Sequence, residues 1–225
     1  DRAEWEYWAR WGHRADRIIL DWFECRYDQR DEIAALSEPT DWSDVQAAYD
    51  EGKGVLVTGG HTGPLFSSIP KQQDSGCPSM WMAARPPLGA IPFNQYLIST
   101  TVGSRHALTQ LVEALKQGKV IYIMIDGSER HQSRPVPFEG ATVYLPDTIP
   151  KLIKRTGCVP FWMSVEWIED RIHIILERAI RPEPDESAAN FTDRWNAFYL
   201  SKIRDVMARD PRNLKLAGGF WDDIR

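Results

Sequence analysis

The sequence predicts an α/β fold with a central, mostly parallel sheet flanked by helices. Two short apolar runs, residues 54–58 and 120–125, each end in a glycine-containing loop, as buried strands of a parallel sheet do. Residues 107–117 lie between them and are typical of a helix closed by Gly118. The order strand, helix, strand implies parallel strands, whose carboxyl ends meet at the edge of the sheet where ligands collect.

The length of 225 residues is sufficient for one domain with a substantial core. We expect a single domain over residues 1–225, divided into three parts. These are an N-terminal helical segment at 1–44, an α/β core at 45–180 and a C-terminal helical segment at 181–225.

The N-terminal segment has large apolar side chains mostly three or four positions apart, which predicts an amphipathic helix with an aromatic face. The face consists of Trp5, Trp8, Trp11, Ile18, Ile19, Trp22 and Phe23. Two interpretations stay open for it: packing against the core, or an interfacial stripe that contacts a membrane or lines an acyl groove. A connector and a short helix through Val45 and Tyr49 follow.

The second half of the chain predicts further elements of both kinds. A turn and a short strand are followed by a basic helix, a pair of strands, an acidic linker with two prolines and a final amphipathic helix. In order, these are residues 135–140, 141–145, 147–156, 159–166 with 171–176, 181–187 and 192–208.

Composition excludes several functional classes. The 27 basic and 32 acidic side chains nearly balance at a net charge of −5, which disfavours nucleic acid as a partner. Three widely spaced cysteines argue against a disulfide framework and a closed zinc site, and favour a reducing, cytoplasmic setting. No apolar run approaches the roughly 18 to 20 residues that cross a bilayer, and the N-terminus lacks the pattern of a signal peptide.

The stretch from Gly59 to Pro64 holds the main candidate for chemistry, His61. Gly60, Thr62 and Gly63 surround it with little bulk, so a substrate could approach the imidazole closely, and we expect these three residues to contact it. A neutral imidazole can take a proton from a hydroxyl or amine that attacks a thioester carbonyl. The alternative is a histidine that only makes local hydrogen bonds.

The order of segments over residues 45–221 resembles the bacterial lipid A late acyltransferases, a family of the lysophospholipid acyltransferase superfamily. Four blocks carry the resemblance: a glycine-led strand that delivers the histidine, a helix and strand that end in an acidic residue, a Phe-x-Gly block, and a helix followed by Thr-Gly-x-x-Val-Pro. They occupy residues 52–61, 111–126, 136–141 and 149–160.

The resemblance implies a histidine general base, no metal and no cofactor. It also implies an acyl donor held as a thioester on acyl carrier protein or coenzyme A, and an acceptor that is usually a lipid hydroxyl or amine. The corresponding description is a transferase of biosynthesis, cytoplasmic, with peripheral contact at the inner membrane left open.

One position departs from the family's pattern. A carboxylate normally stands five residues after the histidine, where this chain has Phe66. A relocated carboxylate, an unaided base and a binding fold without catalysis all remain open. Asp126 is the candidate replacement, because parallel strands place its tip beside that of His61; the alternative is a turn aspartate that caps its own loop. Glu129 is a weaker candidate on the same loop.

Other polar residues near the predicted edge have lesser claims. Arg130 and Arg134 could hold a phosphate, pantetheine or carboxylate group, or could belong to a solvated loop. Ser67 and Ser68 follow Phe66 but lack the Gly-x-Ser-x-Gly elbow of a serine nucleophile.

We therefore expect transfer of an acyl or aminoacyl group from a carrier-protein or coenzyme A thioester to an amine or hydroxyl of a small molecule or lipid. The departure at Phe66 and the lack of an apolar span favour a soluble acceptor over routine lipid A acylation. A thioester hydrolase at the same site and a non-catalytic module that binds an acyl chain or carrier protein stay open as alternatives.

Overall fold

The computed structural model describes residues 3, 7, 35–73, 75–83, 97–100, 103–126 and 133–214. Eight strands lie in these ranges: β1 Val55–Gly59, β2 Ser79–Ala83, β3 Leu97–Ser99, β4 Val120–Met124, β5 Ser133–Phe138, β6 Ala141–Pro146, β7 Val159–Ile168 and β8 Arg171–Arg178. The α-helices there are α1 Ser43–Asp50, α2 Ser68–Gln73, α3 Ser104–Lys116, α4 Thr148–Thr156 and α5 Ala188–Arg209. Short 3₁₀ turns occupy Leu65–Ser67 and Pro211–Asn213.

The central sheet has six strands in the order β3-β2-β4-β1-β7-β8. Neighbouring strands are parallel except for the final pair, β7 and β8, which is antiparallel. β1 and β4 lie side by side, with Val55 opposite Val120 and Gly59 opposite Met124. The predicted α/β class and mostly parallel sheet are confirmed. Because His61 and Asp126 each lie two residues beyond the last pair, they leave the sheet at the same level.

Helices cover both faces of the sheet, which explains why its inner strands are apolar on both sides. Leu56, Ile121 and Trp162 point toward a core completed by α3, α4 and α5. On the opposite face, Val57 and Tyr122 pack with residues of α1 and with the 3₁₀ turn after β1. The backbone N–H and C=O groups of these strands pair with each other within the sheet. Unpaired polar groups are therefore expected only where the strands end.

The β5–β6 hairpin differs from expectation. A turn was predicted at residues 135–140, whereas the structure has a strand there that pairs antiparallel with β6 and turns only at Glu139 and Gly140. Alternate residues of an edge strand point their N–H away from the partner strand, so Pro135 and Pro137 leave the hydrogen-bonded ladder intact. Spaced prolines are therefore compatible with an edge strand.

Caps mark the ends of the helices in the second half of the chain. α4 is followed by its C-cap Gly157, which has the left-handed φ of 68° that favours glycine. α5 begins four residues earlier than expected, because the Ser187 hydroxyl accepts a hydrogen bond from the amide of Asn190. The final predicted helix is thus confirmed, with about one additional turn at its N-terminus.

Parts of the predicted organisation lie outside the described residues. They include the aromatic N-terminal helix, apart from residues 3 and 7, and residues 215–225. The division at residues 44 and 180 stays a prediction. Within the described ranges, no helix is both long enough and apolar enough to cross a membrane.

Candidate active site at the carboxyl edge of the sheet

His61 and Asp126 form a hydrogen-bonded pair beyond the carboxyl ends of β1 and β4. The Nδ1 atom of His61 lies 2.9 Å from Oδ1 of Asp126 and 3.1 Å from Oδ2. The backbone amide of His61 also donates to Oδ1, at 3.0 Å. The Asp126 side chain is fully buried, whereas the imidazole is 21% exposed. One carboxylate therefore holds both the backbone and the ring of the histidine.

This contact assigns a tautomer to the neutral imidazole. A carboxylate can only accept hydrogen bonds, so Nδ1 carries the proton that it donates to Asp126. The other ring nitrogen, Nε2, is then the basic one. A histidine–carboxylate pair of this kind orients the ring and stabilises the imidazolium that forms after proton uptake.

The loop that carries His61 lies unusually close to β7. A Cβ atom added at Gly59 would collide with the carbonyl oxygen of Met163, and one added at Gly63 would collide with that of Val165. Gly63 also has a φ of 44°, in the region that favours glycine. Gly59 and Gly63 thus allow the loop backbone to lie close to β7. Access for a substrate to the imidazole stays a prediction.

Thr62 is a structural anchor in this arrangement. Its hydroxyl oxygen accepts a hydrogen bond from the amide of Val165 at 3.0 Å, and the residue is fully buried. Thr62 also forms an antiparallel bridge with Leu214, after the last helix. The side chain of Thr62 thus attaches the loop to β7; its predicted contact with substrate stays a prediction.

A second buried carboxylate, Glu166, lies on β7 behind the loop. Its side chain is fully buried and receives a bidentate ion pair from Arg209, with distances of 2.7 and 2.9 Å. The hydroxyl of Ser164 donates to it at 2.6 Å. The pair with Glu166 raises the pKa of the Arg209 guanidinium, against the opposing effect of its partial burial. This cluster fixes the end of α5 to the sheet.

Tyr199 on α5 lies against the end of β1, next to the loop that carries His61. Its hydroxyl donates to the carbonyl oxygen of Gly59 at 3.4 Å, and the amide of Ile125 donates to the same oxygen at 3.1 Å. Complete burial raises the pKa of the Tyr199 phenol well above its usual value, and the nearby charge of Asp126 acts in the same direction. The phenol is therefore a neutral donor at ordinary pH.

Arg134 lies in a different environment from the one expected. Its guanidinium pairs with Asp147 and Asp193, on the hairpin side of α5. It lines a cavity of about 430 Å³ between β5 and α5, whose charged groups also include Arg204. Because Arg204 pairs with Glu139, the guanidinium charges of this cavity are already compensated. An anion would have to displace these carboxylates to bind.

The remaining candidates are two serines, two residues of the loop after Asp126, and Gly60. The hydroxyls of Ser67 and Ser68 donate to the carbonyls of Pro64 and Leu65, both at 2.6 Å, which is the geometry of a local turn. Glu129 and Arg130 lie outside the described residues, so their predicted roles stay predictions. Gly60 is buried directly before His61. Across the described ranges, no group of three or more His, Cys, Asp or Glu side chains is placed to hold a metal ion.

Sequence reasoning missed three buried residues that support the His61 loop: Tyr199, Glu166 and Asn213. Each lies in a segment whose local pattern was explained by a strand or a helix. A charged side chain within an apolar strand, as at Glu166, is the one signal that could have indicated a buried polar cluster. Asn213 carries no such signal, because its partners are distant in sequence.

Comparison with known proteins finds a relative but no matching family model. No family model matches the chain. Vi polysaccharide export protein VexE of Salmonella typhi is 28% identical over 229 residues, an alignment that covers all of this chain and 35% of that protein. The chain thus spans about a third of the length of the curated relative it matches.

This relative corrects one expectation. The description of the chain as a lipid A acyltransferase-like enzyme of biosynthesis is wrong, because the relative is named as a polysaccharide export protein. The description depended on four short blocks of glycine, strand and helix. Such blocks largely reflect what a parallel sheet requires, and a shared fold does not determine a substrate.

Proposed function

We propose that the protein transfers an acyl or aminoacyl group from a thioester to a hydroxyl or amine, with His61 as general base and Asp126 as its orienting partner. The observation that supports this most is the contact of Nδ1 with a fully buried carboxylate, 2.9 Å away. Because Nδ1 is protonated in that contact, Nε2 is the ring nitrogen available for proton transfer. The same proposal includes an acyltransferase-like fold with an amphipathic N-terminal helix.

The proposed step moves one proton twice. The acceptor oxygen or nitrogen attacks the thioester carbonyl carbon while Nε2 of His61 takes its proton. The tetrahedral intermediate then collapses, the carbon–sulfur bond breaks, and the imidazolium returns the proton to the departing thiolate. Asp126 stabilises the positive charge on the ring between these two events.

Loop amides are candidates to stabilise the oxyanion of the intermediate, but not all of them are available. The amide of His61 donates to Asp126, and the amide of Gly63 donates to the carbonyl of Asn213 at 2.7 Å. Within this loop, the amides of Gly60 and Thr62 are therefore the better candidates.

The partners in this proposal follow from the chemistry and from the relative. The donor is a thioester on acyl carrier protein or coenzyme A. The relative is named for polysaccharide export, which supports a saccharide hydroxyl or amine as acceptor. The thiols of Cys77 and Cys158 are free, which fits a reducing, cytoplasmic setting. The proposal leaves peripheral contact with the inner membrane open.

The name of the relative also favours a second candidate from another class. A module that binds an acyl chain or carrier protein in polysaccharide export would need no proton transfer. It would bind thioesters without consuming them, and substitution of His61 would not alter that result.

Intact-mass spectrometry separates these functions. Acyl-carrier and acyl-coenzyme A thioesters are incubated with the wild type and His61→Ala, with and without saccharide acceptors. His106→Ala is the matched control, because His106 is exposed on α3. We expect acyl loss and acceptor acylation in the wild type and control only. Free acid without any acceptor would identify a hydrolase, and intact donors across the panel would indicate the binding module.

A further inference from the structure

We infer that Asn213 is a positioning residue for His61, because it fastens the loop that carries the histidine to the exposed end of β7. The catalytic meaning of this inference rests on the proposed function. The positioning itself is a property of the folded chain and can be measured without turnover.

The adjacent strands β1 and β7 extend to different lengths at this edge of the sheet. β1 ends at Gly59, level with Met163, whereas β7 continues to Ile168. The odd-numbered residues of β7 direct their backbone groups toward β1, so Val165 and Trp167 reach past the end of that strand. Their amides and carbonyls need partners that β1 does not supply.

Asn213 supplies the partners for Trp167. Its Oδ1 accepts a hydrogen bond from the amide of Trp167 at 2.9 Å, and its Nδ2 donates to the carbonyl of the same residue at 3.1 Å. The side-chain amide thus replaces a peptide group of the missing strand. Asn213 is only 2% exposed, so both bonds are shielded from water.

The backbone of Asn213 contacts the histidine loop on its other side. Its carbonyl accepts from the amide of Gly63 at 2.7 Å, and the next residue, Leu214, bridges to Thr62. One residue therefore joins β7 to the loop through three hydrogen bonds. The loop is thus held at Gly63 by Asn213 and at His61 by Asp126.

The segment before Asn213 is built to hold it in place. Arg209 pairs with the buried carboxylate of Glu166, and the side chain of Asp210 caps the following turn by accepting from the amide of Arg212 at 2.9 Å. Pro211 stands at the first position of that turn, where its fixed φ is favourable. The end of α5 and this turn together set the position of the asparagine.

Small shifts of the loop matter because the pair of His61 and Asp126 depends on distance and angle. Hydrogen bonds weaken steeply once their geometry departs from about 3 Å and near-linear alignment. A base displaced by about 1 Å can lose on the order of 100-fold in rate. Loss of the Asn213 bridge would therefore reduce turnover without removing any group that contacts substrate.

The test combines nitrogen NMR of the imidazole with steady-state kinetics on Asn213→Ala and Asn213→Asp. The second variant keeps an acceptor for the Trp167 amide but loses the donor, so it serves if the alanine variant does not fold. Val206→Ala is the matched control: it removes buried methyl groups from α5 and no hydrogen bond. Signals of His61 are assigned by their loss in His61→Ala.

We expect both Asn213 variants to lower kcat at least tenfold with less than a twofold change in KM. We also expect a smaller population of the tautomer protonated at Nδ1, while Val206→Ala changes neither quantity. A wild-type tautomer population in a folded Asn213 variant would overturn the inference. If the wild type consumes no thioester, the proposed function fails, and the tautomer measurement still decides the role of Asn213.

Discussion

Two buried carboxylates stand near the same edge of the sheet, and they have different partners. Asp126 follows β4 and meets an imidazole; Glu166 lies near the end of β7 and meets a guanidinium. Both side chains are fully buried, and the strands β4 and β7 flank β1. The cation decides what each pair can do. Arginine keeps its proton at all relevant pH values, whereas histidine can gain and release one.

The comparison shows that burial of a carboxylate does not by itself indicate chemistry. The pair of Glu166 and Arg209 can only fix geometry, while the pair of Asp126 and His61 can fix geometry and move a proton. The first also supports the second, since Arg209 leads into the turn that attaches the His61 loop. Four substitutions test this contrast.

The largest expected effect is that of Asp126→Asn on turnover. An amide can present its NH₂ group to Nδ1 and so favour the wrong tautomer, and we expect kcat for thioester consumption to fall about 10³-fold. Intact-mass assays at saturating donor measure this, with Glu166→Gln as the control buried carboxylate. Should Asp126→Asn turn over normally while His61→Ala is inactive, the relocated partner is wrong.

The next effect concerns the loop between the two carboxylates. Gly63→Ala would strain a φ of 44° and push a methyl group into the backbone of Val165, whereas Gly140→Ala meets open space at a φ of 77°. We expect a loss of about 1 kcal/mol of unfolding free energy for Gly140→Ala. The collision should add about 1–3 kcal/mol for Gly63→Ala. Urea denaturation measures both; equal losses would contradict the close approach.

Glu166→Gln should reduce stability and leave the chemistry mostly intact. Removing the charge leaves Arg209 with a weaker partner, but that guanidinium is 38% exposed and water compensates in part. We expect a loss of about 1–2 kcal/mol of unfolding free energy, with kcat within a few-fold of the wild type. A loss of activity as large as that of Asp126→Asn would show that the two carboxylates do not differ in role.

Tyr199→Phe tests the surroundings of Asp126 by pH. Burial raises the pKa of both Tyr199 and Tyr122, so each keeps its proton in the folded protein above pH 10, where the unfolded chain releases it. The folded state then binds more protons, and stability falls as pH rises. We expect the variant to reduce this slope by about 1 kcal/mol per pH unit between pH 10 and 11.

Denaturant unfolding between pH 10 and 11 measures that slope, and Tyr122→Phe should give a similar reduction. At pH 7 the loss of the weak bond to Gly59 should cost about 1 kcal/mol or less. An unchanged alkaline slope in Tyr199→Phe would mean that the phenol is accessible to water in the folded state.

Sequence patterns predicted the parts of this site that depend on local structure. Apolar runs and their terminal glycines were sufficient for β1, β4 and the helix between them, because burial and chain direction follow from composition and connection length. From these followed the expectation that His61 and Asp126 lie at one edge, and the structure places them in contact. The same logic could not assign Arg134, because its acidic partners lie in the turn before α4 and in α5, and neither contact follows from local periodicity.

The class of fold follows from the sequence alone, as does the placement of His61 and Asp126 just beyond two adjacent parallel strands. The folded chain was needed to show why the loop requires glycine at position 63, what Thr62 attaches to, and that Glu166 and Asn213 support the loop. The physical reason is separation along the chain. Hydrophobic periodicity is local, whereas a polar contact such as that between Asn213 and Trp167 spans 46 residues and depends on where two elements end.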